Sequence, residues 1–149
     1  MTLKQVTARS AINKYSLLAG AAGLIPAPGL DMLGIGGVQY AMIRKLAEQY
    51  NVPMPAKEQV MAIVAALTGS LGATKVAYGA GGSLLKSVPL VGTTLGMVSV
   101  SVFASALTYA IGKVFMMHFE TGGNFLTLNP DKLRGHFEAE FRAGAAQAA

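Results

Sequence analysis

The chain has no cysteine and no tryptophan, and charged residues fill only 13% of its 149 positions. Without cysteine there is no disulfide, no thiolate metal site and no thiol nucleophile, and the redox compartment cannot be read from the sequence. The shortage of charge excludes more. It is about half the usual share for a soluble domain, while apolar residues reach 52%. A soluble bundle of this size needs enough Lys, Arg, Asp and Glu to wet its outer faces. Part of this exterior must instead be apolar and covered, by lipid or by other copies of the chain. Glycosylation signals of the form Asn-x-Ser/Thr are missing too, and Arg44-Lys45 is the one adjacent basic pair. The formal charge of +5 therefore has no basic groove with interleaved aromatics behind it, which argues against nucleic acid. Attraction to anionic lipid headgroups accounts for the same excess.

What the chain does have is uncharged length. Runs without a charge separate Lys14 from Asp31, Asp31 from Arg44, Glu58 from Lys75, Lys75 from Lys86 and Lys86 from Lys113. The longest, Ser87 to Gly112, exceeds the roughly 20 residues a membrane-spanning helix needs. Ala, Leu and Met dominate these runs and strict alternation is absent, so they predict helices. A first helix is expected from about Thr7 to Leu24, stopped by Pro26, Pro28 and Gly29. A second runs from about Leu30 to Tyr50, with Asp31 near its positive end, and closes at Asn51 to Pro55. A third runs from about Ala56 to Tyr78, before Gly79 to Gly82. Pro89 opens a fourth that reaches about Phe119 and closes at Thr121-Gly122-Gly123. Asn129 and Pro130 suit the cap and first position of a short last helix. There Leu133, Phe137 and Phe141 form one apolar stripe, better placed to pack on the body than to lie on a membrane. Residues Gly144 to Ala149 are expected to fray.

The fold class is thus all-α: two helical hairpins with Pro/Gly corners over residues 1–125, then a short amphipathic helix and frayed tail over 126–149. A faint repeat supports the paired hairpins. At an offset of 63 residues, Ile25-Pro26 and Gly29 align with Val88-Pro89 and Gly92, and Met32, Ile35, Tyr40 and Ala47 with Leu95, Val98, Phe103 and Ala110. Chance similarity between apolar, Gly-rich segments is the alternative to duplication. The corner residues are then Pro26, Pro28, Gly29, Pro89 and Gly92. Met1 to Gly29 loosely resembles a signal peptide, but its apolar stretch leads directly into another, as the halves of a hairpin would. Lys14, Arg44, Lys45 and Lys113 flank the apolar segments and are candidate headgroup contacts. By the positive-inside tendency the chain is expected to insert from the cytoplasmic face. The first arm, Tyr15 to Leu24, is about 15 Å long against a hydrocarbon core of about 30 Å, so hairpin one is expected to be half-inserted.

Glycine is abundant, at 18 residues, and several recur at helix-packing spacing: Gly20 and Gly23, Gly69 and Gly72, Gly92 and Gly96. Small faces allow the close backbone approach that drives helix association in lipid. Two nucleotide motifs fail. Lys86-Ser87 ends like a P-loop, but Leu85 and Ala80 stand where glycines are required, and Gly34-Ile35-Gly36 has Gln39 in place of its third glycine. His118-Phe119-Glu120 and His136-Phe137-Glu138 suggest a metal site, yet residues two apart on a helix point roughly 200° apart. No catalytic, cofactor-binding or metal residues are assigned, and no enzyme is expected.

Lys14-Tyr15, Ala21 to Pro26 and the corner Pro28 to Asp31, followed by Gln39 and Met42 to Val52, resemble the domain-of-unknown-function 697 family. Val88 to Thr93, Tyr109 to Lys113 and His118 to Gly123 resemble its later half. The resemblance implies a bacterial, apolar, helical domain that associates with membranes and is sometimes joined to a small GTPase. This chain lacks GTPase motifs, so a GTPase would be a separate partner. The combined expectation is a non-enzymatic membrane protein that self-associates and organises, shapes or anchors to a membrane. The alternative is a soluble oligomeric module whose apolar faces are covered by its own copies or a partner.

Overall fold

Thr2 and Gln5 start the first helix by a reciprocal cap. The Gln5 amide donates to Thr2 Oγ1 at 3.2 Å, and the Thr2 amide donates to Gln5 Oε1 at 2.9 Å, so two otherwise orphaned amides are satisfied. The computed structural model describes residues 2–22, 30–69 and 91–148, without the side chains of 30–33, 91–100 and 148. It comprises α1 (Leu3–Ala22), α2 (Leu30–Gln49), α3 (Lys57–Gly69), α4 (Val91–Glu120) and α5 (Pro130–Ala148), an all-α fold. The corners at Pro26, Pro28, Gly29 and Pro89 lie outside the described residues, as do Lys75 and Lys86.

Two helices end by the same device. Asn51 takes a φ of 56°, its amide donates to Glu48 O at 3.3 Å, and the Val52 amide reaches Ala47 O at 2.8 Å. Gly122 takes a φ of 87°, its amide donates to Phe119 O at 3.0 Å, and the Gly123 amide reaches His118 O at 2.9 Å. Both are Schellman closures around a left-handed residue. Asn129 Oδ1 accepts from the amides of Asp131 at 3.0 Å and Lys132 at 3.4 Å, with Pro130 at the first helical position. The far end of α5 departs from expectation: it stays helical to Ala148 through the stretch predicted to fray. Ala-rich sequence favours helix, and Gly144 seats that stretch on α4. A Cβ at Gly144 would lie 3.1 Å from the Cα and carbonyl oxygen of Ala106.

Helix α4 is the centre of the bundle. A Cβ at Gly112 would meet Ile12 Cγ1 at 2.8 Å, and one at Gly20 would meet Ser101 Oγ at 3.4 Å, so α1 runs antiparallel to α4. Gln39 bonds Thr108 and the Tyr50 ring meets Phe119, so α2 runs parallel to α4. Gly36 faces Met61 and Tyr40 faces Lys57, so α3 runs antiparallel to α2. The C-termini of α1 and α3 and the N-termini of α2 and α4 therefore share one end of the bundle, here the far end. The opposite, near end holds Thr2, Asn51, Lys57 and Gly122. Helix α5 packs on α4 and touches α3.

One core joins all five helices, from Ile12, Met42 and Val60 to Phe115 and Phe137. Phe137 is fully buried, so the last helix belongs to the same core as residues 1–125. Positions aligned by the repeat share an environment: Ala47 and Ala110 are both fully buried, and Tyr40 and Phe103 are both half-buried against the core.

Candidate membrane border

The helix registers bring three tyrosines to one level. Ile12 lies opposite Gly112, so Tyr15, three residues further along α1, stands near Tyr109, three back on antiparallel α4. Gln39 lies opposite Thr108, which puts Tyr40 at that level on parallel α2. Each ring carries a lysine ammonium over it: Lys14 at 5.9 Å from Tyr15, Lys57 at 5.3 Å from Tyr40 and Lys113 at 6.0 Å from Tyr109. These are cation–π distances. Tyr15, Tyr40 and Tyr109 are each half-buried against the core.

This level divides the first four helices electrically. Toward the far end, residues 15–22 of α1, 32–40 of α2, 59–69 of α3 and 91–112 of α4 contain no charged residue. Asp31, at the start of α2, is the exception among these four helices. Helix α5 carries its own charges, and Glu140 and Arg142 flank Phe141, whose ring meets Phe103 at 5.7 Å on the far side of Tyr109. Toward the near end lie Lys4, Arg9, Arg44, Lys45, Glu48, Glu58 and Glu120. Arg44 pairs with Glu48 at 3.6 Å in the open, a pair worth a few tenths of a kcal/mol. Lys4 sits 5.4 Å over Tyr50, whose hydroxyl donates to Glu120 Oε1 at 2.9 Å. Burial pushes the Tyr50 hydroxyl well above the ordinary tyrosine value, and the bond to Glu120 adds to the shift.

Polar side chains beyond the border mostly find partners inside the protein. Ser101 Oγ donates to Gly20 O at 2.8 Å, Gln39 Nε2 donates to Thr108 Oγ1 at 3.1 Å, and Thr68 Oγ1 donates back to Val64 O at 2.8 Å. Internal satisfaction is what a low-dielectric surrounding demands. Leu17 is 74% exposed just beyond the border on α1, and Leu18 45%. Apolar exposure is not confined there, since Leu3 and Leu126 are open at the near end.

The residues singled out by sequence fall as follows. Lys14 and Lys113 stand on the border, while Arg44 and Lys45 are exposed one turn toward the near end. Gly20 is buried where α1 meets α4. Gly69 ends α3 with no described neighbour within 4 Å of its Cβ position. Gly92 and Gly96 lie within α4, Gly92 in its first turn, and Gly23 and Gly72 lie outside the described residues. Sequence spacing missed Gly112 and Gly144, the glycines with the tightest approaches between helices; each is an isolated helical glycine, and the cost of such a residue was the available signal. His118 is half-buried rather than simply solvated. Its Nε2 lies 2.8 Å from Asn124 O and 3.2 Å from Thr127 Oγ1, pinning the α4–α5 loop. Among the described residues no three His, Asp or Glu side chains gather as a metal site would require. Ser101–Glu120 is the described helical stretch long and apolar enough to cross a membrane. With 67% of it buried in the fold, it straddles the border as the bundle's core.

Fold and border together define a small helical domain whose first four helices carry almost all their charge toward one end. The chain belongs to the family of a domain of unknown function, DUF697, whose family model matches residues 1–142. It is 39% identical over 150 residues to magnetosome membrane protein 22 of Magnetospirillum gryphiswaldense, a match covering 98% of this chain and 74% of that protein. No solved structure matches it.

Proposed function

We propose that the chain is a non-enzymatic helical protein that associates with a membrane, its uncharged far end in lipid and its near end in the cytoplasm. The observation carrying this reading is the ring of lysine-capped tyrosines at the level where charge stops on α1 to α4. Amphipathic rings and cations concentrate at the two edges of a bilayer for the same reason. The name of magnetosome membrane protein 22 supports it. From Tyr109 back to Val91, α4 extends about 27 Å, close to the roughly 30 Å of a hydrocarbon core. From Tyr15 to Ala22, α1 extends only about 11 Å, in keeping with partial insertion of the first hairpin. The cations on the near side favour the cytoplasmic face.

Self-association would use the small residues of α3. Ala62, Ala65, Ala66 and Gly69 are exposed and repeat at three- and four-residue steps, which lets a second helix approach closely. Packing of copies in one leaflet would organise or shape the membrane, and a separate GTPase partner follows from the family alone. One observation favours a soluble module instead: the burial of Ser101–Glu120 inside the bundle. Fractionation decides between them. The chain is expected to stay in the membrane pellet through a carbonate wash and to be released by detergent. A chain that is soluble and monodisperse without detergent overturns the proposal in favour of the soluble module.

A further inference from the structure

A polar cleft opens at the border between α1 and α4 and is walled on its third side by α5. Two antiparallel stripes line it. Arg9, Asn13 and Leu17 descend α1 four residues at a time, and Lys113, Tyr109 and Ser105 descend α4 in the same steps. Gly144 brings α5 onto the Ala106 backbone, so that Gln147 closes the third wall. The two lobes share Asn13, Tyr109 and Gln147, and have volumes of about 350 and 120 Å³, a size suited to a small-molecule ligand.

The cleft is graded. Arg9 and Lys113 stand at its near-end mouth, and no carboxylate occurs among the described residues lining it. Ser16 lies at its floor, only 5% exposed, with its hydroxyl lacking a hydrogen-bond partner. Leu17, 74% exposed, borders the lobe nearer the uncharged end. A buried hydroxyl left unpaired is costly unless a ligand completes it. Two unopposed cations select a compact anion rich in acceptors.

We propose that this cleft binds the phosphate of an anionic phospholipid, with Arg9 and Lys113 on the phosphate oxygens, Ser16 and Asn13 on the glycerol side, and the acyl chains leaving over Leu17. The choice of lipid as the source of the phosphate rests on the membrane reading above; the anion cleft itself does not.

The test titrates the full chain in neutral detergent with short-chain phosphatidylglycerol and, separately, with glycerol phosphate. Arg9→Gln/Lys113→Gln is expected to weaken phosphatidylglycerol binding about tenfold or more, with Lys132→Gln as the control that leaves it unchanged. Ser16→Ala is expected to weaken binding several-fold while slightly raising the melting temperature, because it removes an unsatisfied buried hydroxyl. A purely structural Ser16 would shift the melt without shifting affinity, and that result removes it from the site. Retention of wild-type affinity by the double variant overturns the cleft. Equal affinity for glycerol phosphate overturns the lipid source. Failure of the wild-type chain to partition onto phosphatidylcholine vesicles, with binding to the short-chain lipid intact, sinks the membrane reading and leaves the cleft standing.

Discussion

The bundle is built differently on the two sides of its tyrosine level. On the near side α4 ends in a knot of rings: Phe115 to Phe119 at 5.7 Å, Phe115 to Phe125 at 5.7 Å, Phe119 to Phe125 at 5.5 Å and Tyr50 to Phe119 at 6.2 Å. On the far side α4 touches α1 through Gly20, Ser101 and Ser105, at backbone range. A ring cluster draws its strength from taking large apolar surfaces out of water. Small-residue contact and hydroxyl-to-backbone bonds owe little to water and work as well in lipid. The contrast is one of degree: Phe103 meets Phe141 at 5.7 Å beyond the tyrosine level, and Gly112 brings α1 close to α4 on its near side.

The largest effect that tests this contrast belongs to the ring cluster. Phe115 is fully buried, and Phe115→Ala is expected to cost about 3–5 kcal/mol. Denaturant unfolding followed by circular dichroism checks it, and a loss below about 1 kcal/mol would show that the cluster does not anchor the near side. Next comes Gly112, where α1, α2 and α4 converge. Gly112→Ala forces its methyl against Ile12 and Met42, and overpacking of this kind costs about 1–3 kcal/mol. At Gly20 a Cβ would stand 3.4 Å from its nearest neighbour, so Gly20→Ala has room. The helix propensity gained by replacing glycine, up to about 1 kcal/mol, should leave that variant as stable as the wild type or better. If the two substitutions cost the same, the register of α1 on α4 is wrong.

How far the sequence could lead follows from where each signal resides. Caps and stops are local: Asn51 before Pro53, Gly122 beside Gly123, and Asn129 before Pro130 are all readable because neighbouring residues fix the backbone. The shortage of charge was equally readable, and it directs attention to Lys14 and Lys113. The border itself was not, because Tyr40 meets Lys57 across a turn and Tyr15 aligns with Tyr109 only once α1 and α4 are in register. The cleft is a tertiary object for the same reason: Arg9 and Lys113 are far apart in the chain. Glycine spacing was an incomplete guide because it searches for pairs on one helix, whereas Gly112 and Gly144 act singly, each against a different helix.

A smaller effect compares the two Schellman closures. Gly122→Ala places a Cβ on a left-handed residue, which costs about 1–2 kcal/mol. Asn51 already tolerates that conformation, so Asn51→Gly should change stability by a few tenths of a kcal/mol. Thermal melts of the two variants should therefore separate clearly, with Gly122→Ala the lower. Coincident melts would mean that the α4–α5 loop is held by His118 and Thr127 rather than by its glycine.

The smallest effect is a matter of pH, and it tests the near-side cluster from its polar edge. Burial, reinforced by Glu120, raises the Tyr50 hydroxyl above its ordinary value of 10.0. The folded state therefore holds that proton more tightly than the unfolded chain does. Stability from this group is fully present below pH 10 and is lost as pH climbs through the folded value. Tyr50→Phe removes the bond to Glu120, at a cost of about 1 kcal/mol or less near neutrality, and also removes the titration. Denaturation midpoints measured at intervals from pH 8 upward should fall for the wild type above about pH 10 and fall less for Tyr50→Phe, after allowance for the other tyrosines and lysines common to both. Parallel curves would mean that Tyr50 is no more buried in the folded protein than in the unfolded chain, and that the ring cluster ends at Phe119.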